Sequence, residues 1–125
     1  MPAWAPAIYD DMTCAHRSSR ACCTSTGRAD VDAFVLMPNH VHAIIVPRDD
    51  YNLSTLLKGI KGVSANRCNN LLRSKASFWM DESYDHIVRD AKELAAFRDY
   101  IAENPNKARL KSHEYSFELR NVLVA

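Results

Sequence analysis

The sequence predicts an α+β domain, an antiparallel sheet covered by α-helices. Three observations carry that expectation: two adjoining β-rich runs broken by a Pro-Asn turn, a long amphipathic helical stretch, and a capping-box-like start to a second helical stretch. At 125 residues the chain can bury one real core and is too short for two independent ones.

Residues 1–30 hold no sustained period of 2 or 3.6 and are set apart as an atypical N-terminal segment, with residues 31–125 as the readable domain. Val31, Ala33, Val35 and Met37 then alternate with Asp32, Phe34 and Leu36 in a strand that Pro38-Asn39 ends. A second β-rich run over 40–46 is closed by Pro47 and the charged turn Arg48-Asp49-Asp50, so the two should pair as an antiparallel hairpin. Over 53–73, Leu53, Leu56, Leu57, Ile60, Val63 and Leu71 share one helical face, with Lys58, Lys61 and Arg73 opposite and Gly59 and Gly62 weakening the helix. Residues 84–89 read as another short strand. Asp90, with Glu93 three residues on, starts a second helix that buries Leu94, Phe97 and Ile101 and should end at Asn104, because the residue before Pro105 is driven out of the α region. The last fifteen residues read as a short strand or loop.

With 47% hydrophobic and 25% charged residues, the composition is that of an ordinary globular protein. The longest apolar runs, 33–37 and 43–47, fall far below the roughly 18 residues of a membrane helix, so no span is expected. The first residues lack the basic start and apolar stretch of a secretory signal, and a cytoplasmic location is expected. A net charge of +1 excludes a strong global field for nucleic acid, so any such binding must be local. Such a patch exists: residues 51–80 hold no Asp or Glu but carry Lys58, Lys61, Arg67, Arg73 and Lys75. Cys14, Cys22, Cys23 and Cys68 contain no Cys-x-x-Cys pair and read as reduced thiols; Cys14 or Cys22 with His16 matches no common zinc module.

His40 and His42 sit two apart on a strand, leaving the same face of the sheet roughly 7 Å apart along the chain, and two convergent imidazoles can chelate a divalent cation. Alone, the pair is better explained as two ordinary surface or core histidines; its setting between Val and Ile residues, where unpartnered imidazoles on a buried face would be costly, is what raises the metal reading. Tyr100 and Asn104, four apart on the second helix, flank its apolar stripe and point a phenol and an amide together toward the sheet. By themselves these also read as a core-margin tyrosine and a helix cap. His86 reads either as a proton carrier or as a strand residue.

Three blocks together, Met37-Pro38-Asn39-His40-Val41-His42, Phe78-Trp79 ahead of Tyr84-Asp85-His86-Ile87-Val88-Arg89-Asp90, and Asp99-Tyr100-Ile101-Ala102-Glu103-Asn104-Pro105, resemble the single-tyrosine HUH transposases, most closely the REP-associated tyrosine transposases. The resemblance covers roughly residues 31 to 110. It implies a ferredoxin-like HUH nuclease fold over 31–125, in a bacterial, nucleoid-associated protein acting on single-stranded or hairpin DNA as a monomer or homodimer. It further implies Tyr100 as the nucleophile and a Mg²⁺ or Mn²⁺ ion held by His40, His42 and Asn104, giving a 5′-phosphotyrosine and a free 3′-OH. The chemistry of the residues agrees: a phenol of pKa about 10 is a weak nucleophile near neutrality and needs a cation to polarise the phosphate. Lys58, Lys61, Arg73 and Lys75 would track the strand backbone, with Trp79 or Tyr84 as a stacking platform; for both aromatics core packing is the competing role.

Two departures and three alternatives stand beside this. The N-terminal strand of that fold is not legible in residues 1–30, and Arg109 stands near where the family commonly has a glycine. A truncated or degenerate, noncatalytic remnant that at most binds single-stranded DNA is the alternative function. A histidine-triad hydrolase is disfavoured by Ile44 in the third alternating position, and a relaxase by Tyr9 being the only tyrosine upstream of the histidines.

Overall fold

The computed structural model describes residues 29–48, 50–80 and 84–123. The segment 1–28, with Cys14, Cys22, Cys23 and His16 and the question of an N-terminal strand, lies outside the described residues.

The hairpin forms as expected: β1 (Ala29–Leu36) pairs antiparallel with β2 (Val41–Pro47). Between them Pro38 sits second in the tight turn, where its fixed φ is already suitable, and the turn closes as the Met37 N–H donates to the His40 carbonyl at 2.9 Å. The C-terminal stretch supplies β3 (Ser116–Leu119) on the other side of β1, giving the antiparallel order β2-β1-β3. The expected α+β class is therefore the one observed.

β1 is central among the described strands and both its faces are buried, but the simple alternation is broken. The register shifts between Val31 and Ala33, so Asp32 is the extra residue of a β-bulge. Val31 therefore joins Phe34 and Leu36 on one face, with Cys68 of helix α1 (Leu53–Leu72), Val41, Ala43, Phe78 and Trp79. Ala33, Val35, Met37 and Ile44 take the other, under Leu94 and Ile101 of helix α2 (Ala91–Lys107), bordered by Val88, Phe97, Leu110, Tyr115 and Leu123. This corrects the expected grouping of Val31 with Ala33, Val35 and Met37.

α1 starts where Asn52 accepts from the Ser54 N–H at 2.7 Å. It ends as Arg73 enters the left-handed region, φ 52°, and the Arg73 and Ser74 N–H groups return to the Asn70 and Asn69 carbonyls. Its buried line is Leu56, Ile60, Ser64 and Cys68, while Leu71 is 58% exposed. The difference from the expected leucine stripe lies in Ser64: its hydroxyl donates to the Ile60 carbonyl at 2.6 Å and accepts from the indole N–H of Trp79 at 2.9 Å, so a polar residue is buried without penalty.

Two further expectations are corrected. Residues 84–89 form no strand: Tyr84 and Ile87 are 93% and 79% exposed, and Val88 is the residue here that packs on the core. Nor does α2 end at Asn104. Pro105 lies within its last turn, where one hydrogen bond is lost, and it is fully buried. The helix then closes at Arg109, whose φ is 56°, with the Arg109 and Leu110 N–H groups donating to the Asn106 and Pro105 carbonyls.

Candidate active site

The register sets which face of the sheet the histidines take. His42 pairs with Val35 and so stands on the α2 side, next to Ile44. Tyr100 is one residue before the buried Ile101, at the half-exposed margin of α2. These placements bring three rings into a row: His40 and His42 lie 5.0 Å apart between centroids, and His42 and Tyr100 lie 5.4 Å apart, both pairs edge to face.

His42 is partly buried, and burial pushes its imidazole below the usual histidine value, with the neighbouring His40 pushing the same way. The neutral form, which has a lone pair to offer a cation, is thereby favoured near neutrality. The exposed His40 has its Nδ1 2.6 Å from the Asn39 side-chain oxygen. With Nδ1–H as the donor, Nε2 carries the lone pair. That makes Asn39 a functional candidate that sequence reasoning passed over although it lies inside the quoted motif.

Asn104 follows Tyr100 by one helical turn. Its side-chain Nδ2 is shielded from solvent and has no hydrogen-bond partner. An amide end left unpaired in this way is costly, and because the amide oxygen and nitrogen exchange places by a flip, the position suits an oxygen donor to a bound cation. Two imidazoles and one amide make a neutral donor set that leaves coordination positions for phosphate oxygens and water. By donor type, and with the Asn104 amide shielded and unpaired, these residues would suit a divalent ion. No three His, Cys, Asp or Glu side chains form such a group among the described residues, so the set depends on Asn104.

The Lys107 ammonium lies 5.7 Å from the Tyr100 ring centroid, and 3.9 Å from Glu103. Sequence reasoning missed this cation, although its spacing of seven from Tyr100 on a helix was a usable signal. The basic candidates are elsewhere: Lys58 and Lys75 are exposed, Lys61 is half-buried on α1, and Arg73 is the exposed cap residue. Trp79 packs into the core beside Phe78, ring centroids 5.4 Å apart, and is held by Ser64, whereas Tyr84 is open to solvent. His86 has its Nε2 2.6 Å from Glu93 and its ring 5.1 Å from Phe97.

The sequence model of the IS200-like transposases matches residues 7–104, which takes in the hairpin, both helices' site residues and most of the N-terminal segment. The chain belongs to this transposase family. Among the relatives of these transposases are a REP-associated tyrosine transposase of Escherichia coli, 28% identical over 79 residues, or 62% of this chain and 45% of that protein. A putative REP-associated tyrosine transposase of Haemophilus influenzae is 26% identical over 85 residues, 60% of this chain and 48% of that one. An uncharacterised protein of the same organism is 31% identical over 96 residues, 60% and 53%. The chain spans about half the length of the curated relatives it matches. No solved structure matches it. No helix among the described residues is long and apolar enough to cross a membrane.

Proposed function

We propose that the chain cuts and rejoins single-stranded, hairpin-forming DNA through a covalent tyrosine intermediate, as a metal-dependent transposase. The observation that carries this reading is the approach of Tyr100, on α2, to His42, on β2, with His40 next in the row. In this reading the Tyr100 Oη attacks a backbone phosphorus. The Oη–P bond forms as the P–O3′ bond breaks, and the proton lost by the phenol is balanced by the one the departing 3′-oxygen takes up. The product strand carries a 5′-phosphotyrosine and its partner a free 3′-OH. Reversal by a 3′-OH rejoins strands without ATP, because the phosphodiester energy is kept in the covalent link.

His40, His42 and Asn104 would hold Mg²⁺ or Mn²⁺, which when bound supplies polarisation of a phosphate oxygen and stabilisation of developing charge. The Asn39 side chain orients the His40 ring, and burial favours the neutral form of His42. Lys107 contributes positive charge beside the phenol where a phosphate would sit. Lys58, Lys61, Arg73 and Lys75 give the backbone of the bound strand a basic track, with Tyr84 as the accessible ring for a base.

The test is incubation with Mn²⁺ and single-stranded hairpin oligonucleotides drawn from DNA flanking the gene. A denaturant-resistant protein–DNA complex is expected, absent in Tyr100→Phe and in His42→Ala. A well-folded protein that binds these strands and forms no complex would instead favour a noncatalytic binder.

A further inference from the structure

Arg98 stands two residues before Tyr100, and its guanidinium is turned into the fold. Its Nε and Nη2 donate to Asp32 Oδ2 and Oδ1 at 2.8 and 2.7 Å, and Nη2 also donates to the Leu123 carbonyl at 2.7 Å. The Leu123 N–H donates to Asp32 Oδ1 at 3.0 Å, and the Asp32 carbonyl accepts from the Arg120 N–H at 2.8 Å. Asp32 itself has no solvent exposure and is the bulge residue of β1. One carboxylate thus joins β1, α2 and the C-terminal strap after β3.

Burial of Leu94 and Ile101 already attaches α2 to the sheet. That attachment is non-directional and fixes neither the rotation of the helix nor its position along its axis to a fraction of an ångström. A planar guanidinium held at both ends of one carboxylate does fix them. The strand it grips also carries Val35, the register partner of His42. An apolar pair of similar volume is often as stable as a buried ion pair, so the charged pair's distinctive contribution is geometry.

We propose that Arg98, clamped by Asp32 and by Leu123 of the C-terminal strap, is the positioning residue that sets the Tyr100 phenol against His42. The proposal rests on the reading of Tyr100 as nucleophile. It extends the support of the site to the strap after β3, beyond residue 104 where the family match ends.

The test uses the full chain as Arg98→Lys, which keeps the charge without the fork, and as the double variant Asp32→Leu/Arg98→Met, which replaces the pair with apolar residues. Folding and melting are followed by circular dichroism, the Tyr100–His42 ring contact by nuclear Overhauser effects, and adduct formation at saturating hairpin DNA with Mn²⁺. The expected result is a weakened ring contact and a rate per folded molecule at least about tenfold lower, with DNA affinity unchanged. Retained ring contact, or a wild-type rate from folded variants, overturns the proposal. Should the double variant not fold, Arg98→Lys decides alone. A wild-type protein that forms no adduct on any strand removes the nucleophile reading, and the ring contact then decides the positioning claim by itself: lost supports it, retained overturns it.

Discussion

The His42 imidazole and the Tyr100 phenol ring meet edge to face, 5.4 Å between centroids, although one lies on β2 and the other on α2. His42 is also partly buried, and that burial has a titration consequence. Burial and His40 lower the His42 pKa below the usual histidine value, so the unfolded chain binds this proton more readily than the fold does. The stability it contributes is present above the unfolded value and is lost as pH falls through the folded one. Wild-type melting temperature should therefore drop from pH 7 toward pH 5 more than that of His42→Gln, and the His42 ring followed by NMR should titrate below 6.5.

Asp32 gives a second, more acidic limb. Hydrogen bonds from Arg98 hold its carboxyl below its usual value, outweighing the burial that pushes it up. A lowered carboxylate stabilises the fold above the unfolded value near 3.8, and that contribution is lost as pH falls through the folded one. At neutral pH Asp32→Asn should lose about 2–4 kcal/mol by urea denaturation, because the Arg98 charge loses its partner. Its stability should also fall less than wild type below pH 4.

Arg109 occupies the left-handed position that closes α2, at φ 56°. A side chain there is strained by about 1 kcal/mol, and glycine is not. Arg109→Gly should raise stability by about that amount, a melting shift of several degrees. The resemblance already marked a glycine near this place, and the backbone supplies the physical reason for it.

Lys58 and Lys61 lie on the basic stretch, away from the site rings in the sequence and on a different helix. If each contacts one phosphate, the double variant Lys58→Ala/Lys61→Ala should flatten the log–log salt dependence of single-strand affinity by about 1.4. Its melting temperature should stay near that of wild type. An unchanged slope would take these residues out of the DNA track.

What the sequence made legible follows from how local each signal is. The hairpin was legible from Pro38-Asn39 between two β-rich runs, and the start of α2 from Asp90 and Glu93. There Asp90 accepts from the Glu93 N–H at 2.8 Å, while Glu93 reaches back to the Arg89 N–H at 2.7 Å. The meeting of His40, His42 and Tyr100 was legible through parity on a strand, spacing on a helix, and the resemblance that joined them, which also proposes Asn104 as their fourth member. The phase of β1 was not, because a bulge at Asp32 is set by partners far along the chain, Arg98 and Leu123. Even so, a lone acid inside Val31-Asp32-Ala33-Phe34 is a buried charge that demands a cation, and that signal pointed to the missed arginine. Residues 84–89 have strand-like composition but pair with no strand among those described.

The most direct measurement is the mass of the peptide that carries the DNA after protease digestion of the covalent complex formed with Mn²⁺. The account predicts a single modified peptide containing Tyr100, linked to the 5′-phosphate of the cut strand, and none from Tyr100→Phe. Linkage at another residue, or no linked peptide from a folded protein that binds the hairpin strand, would contradict it.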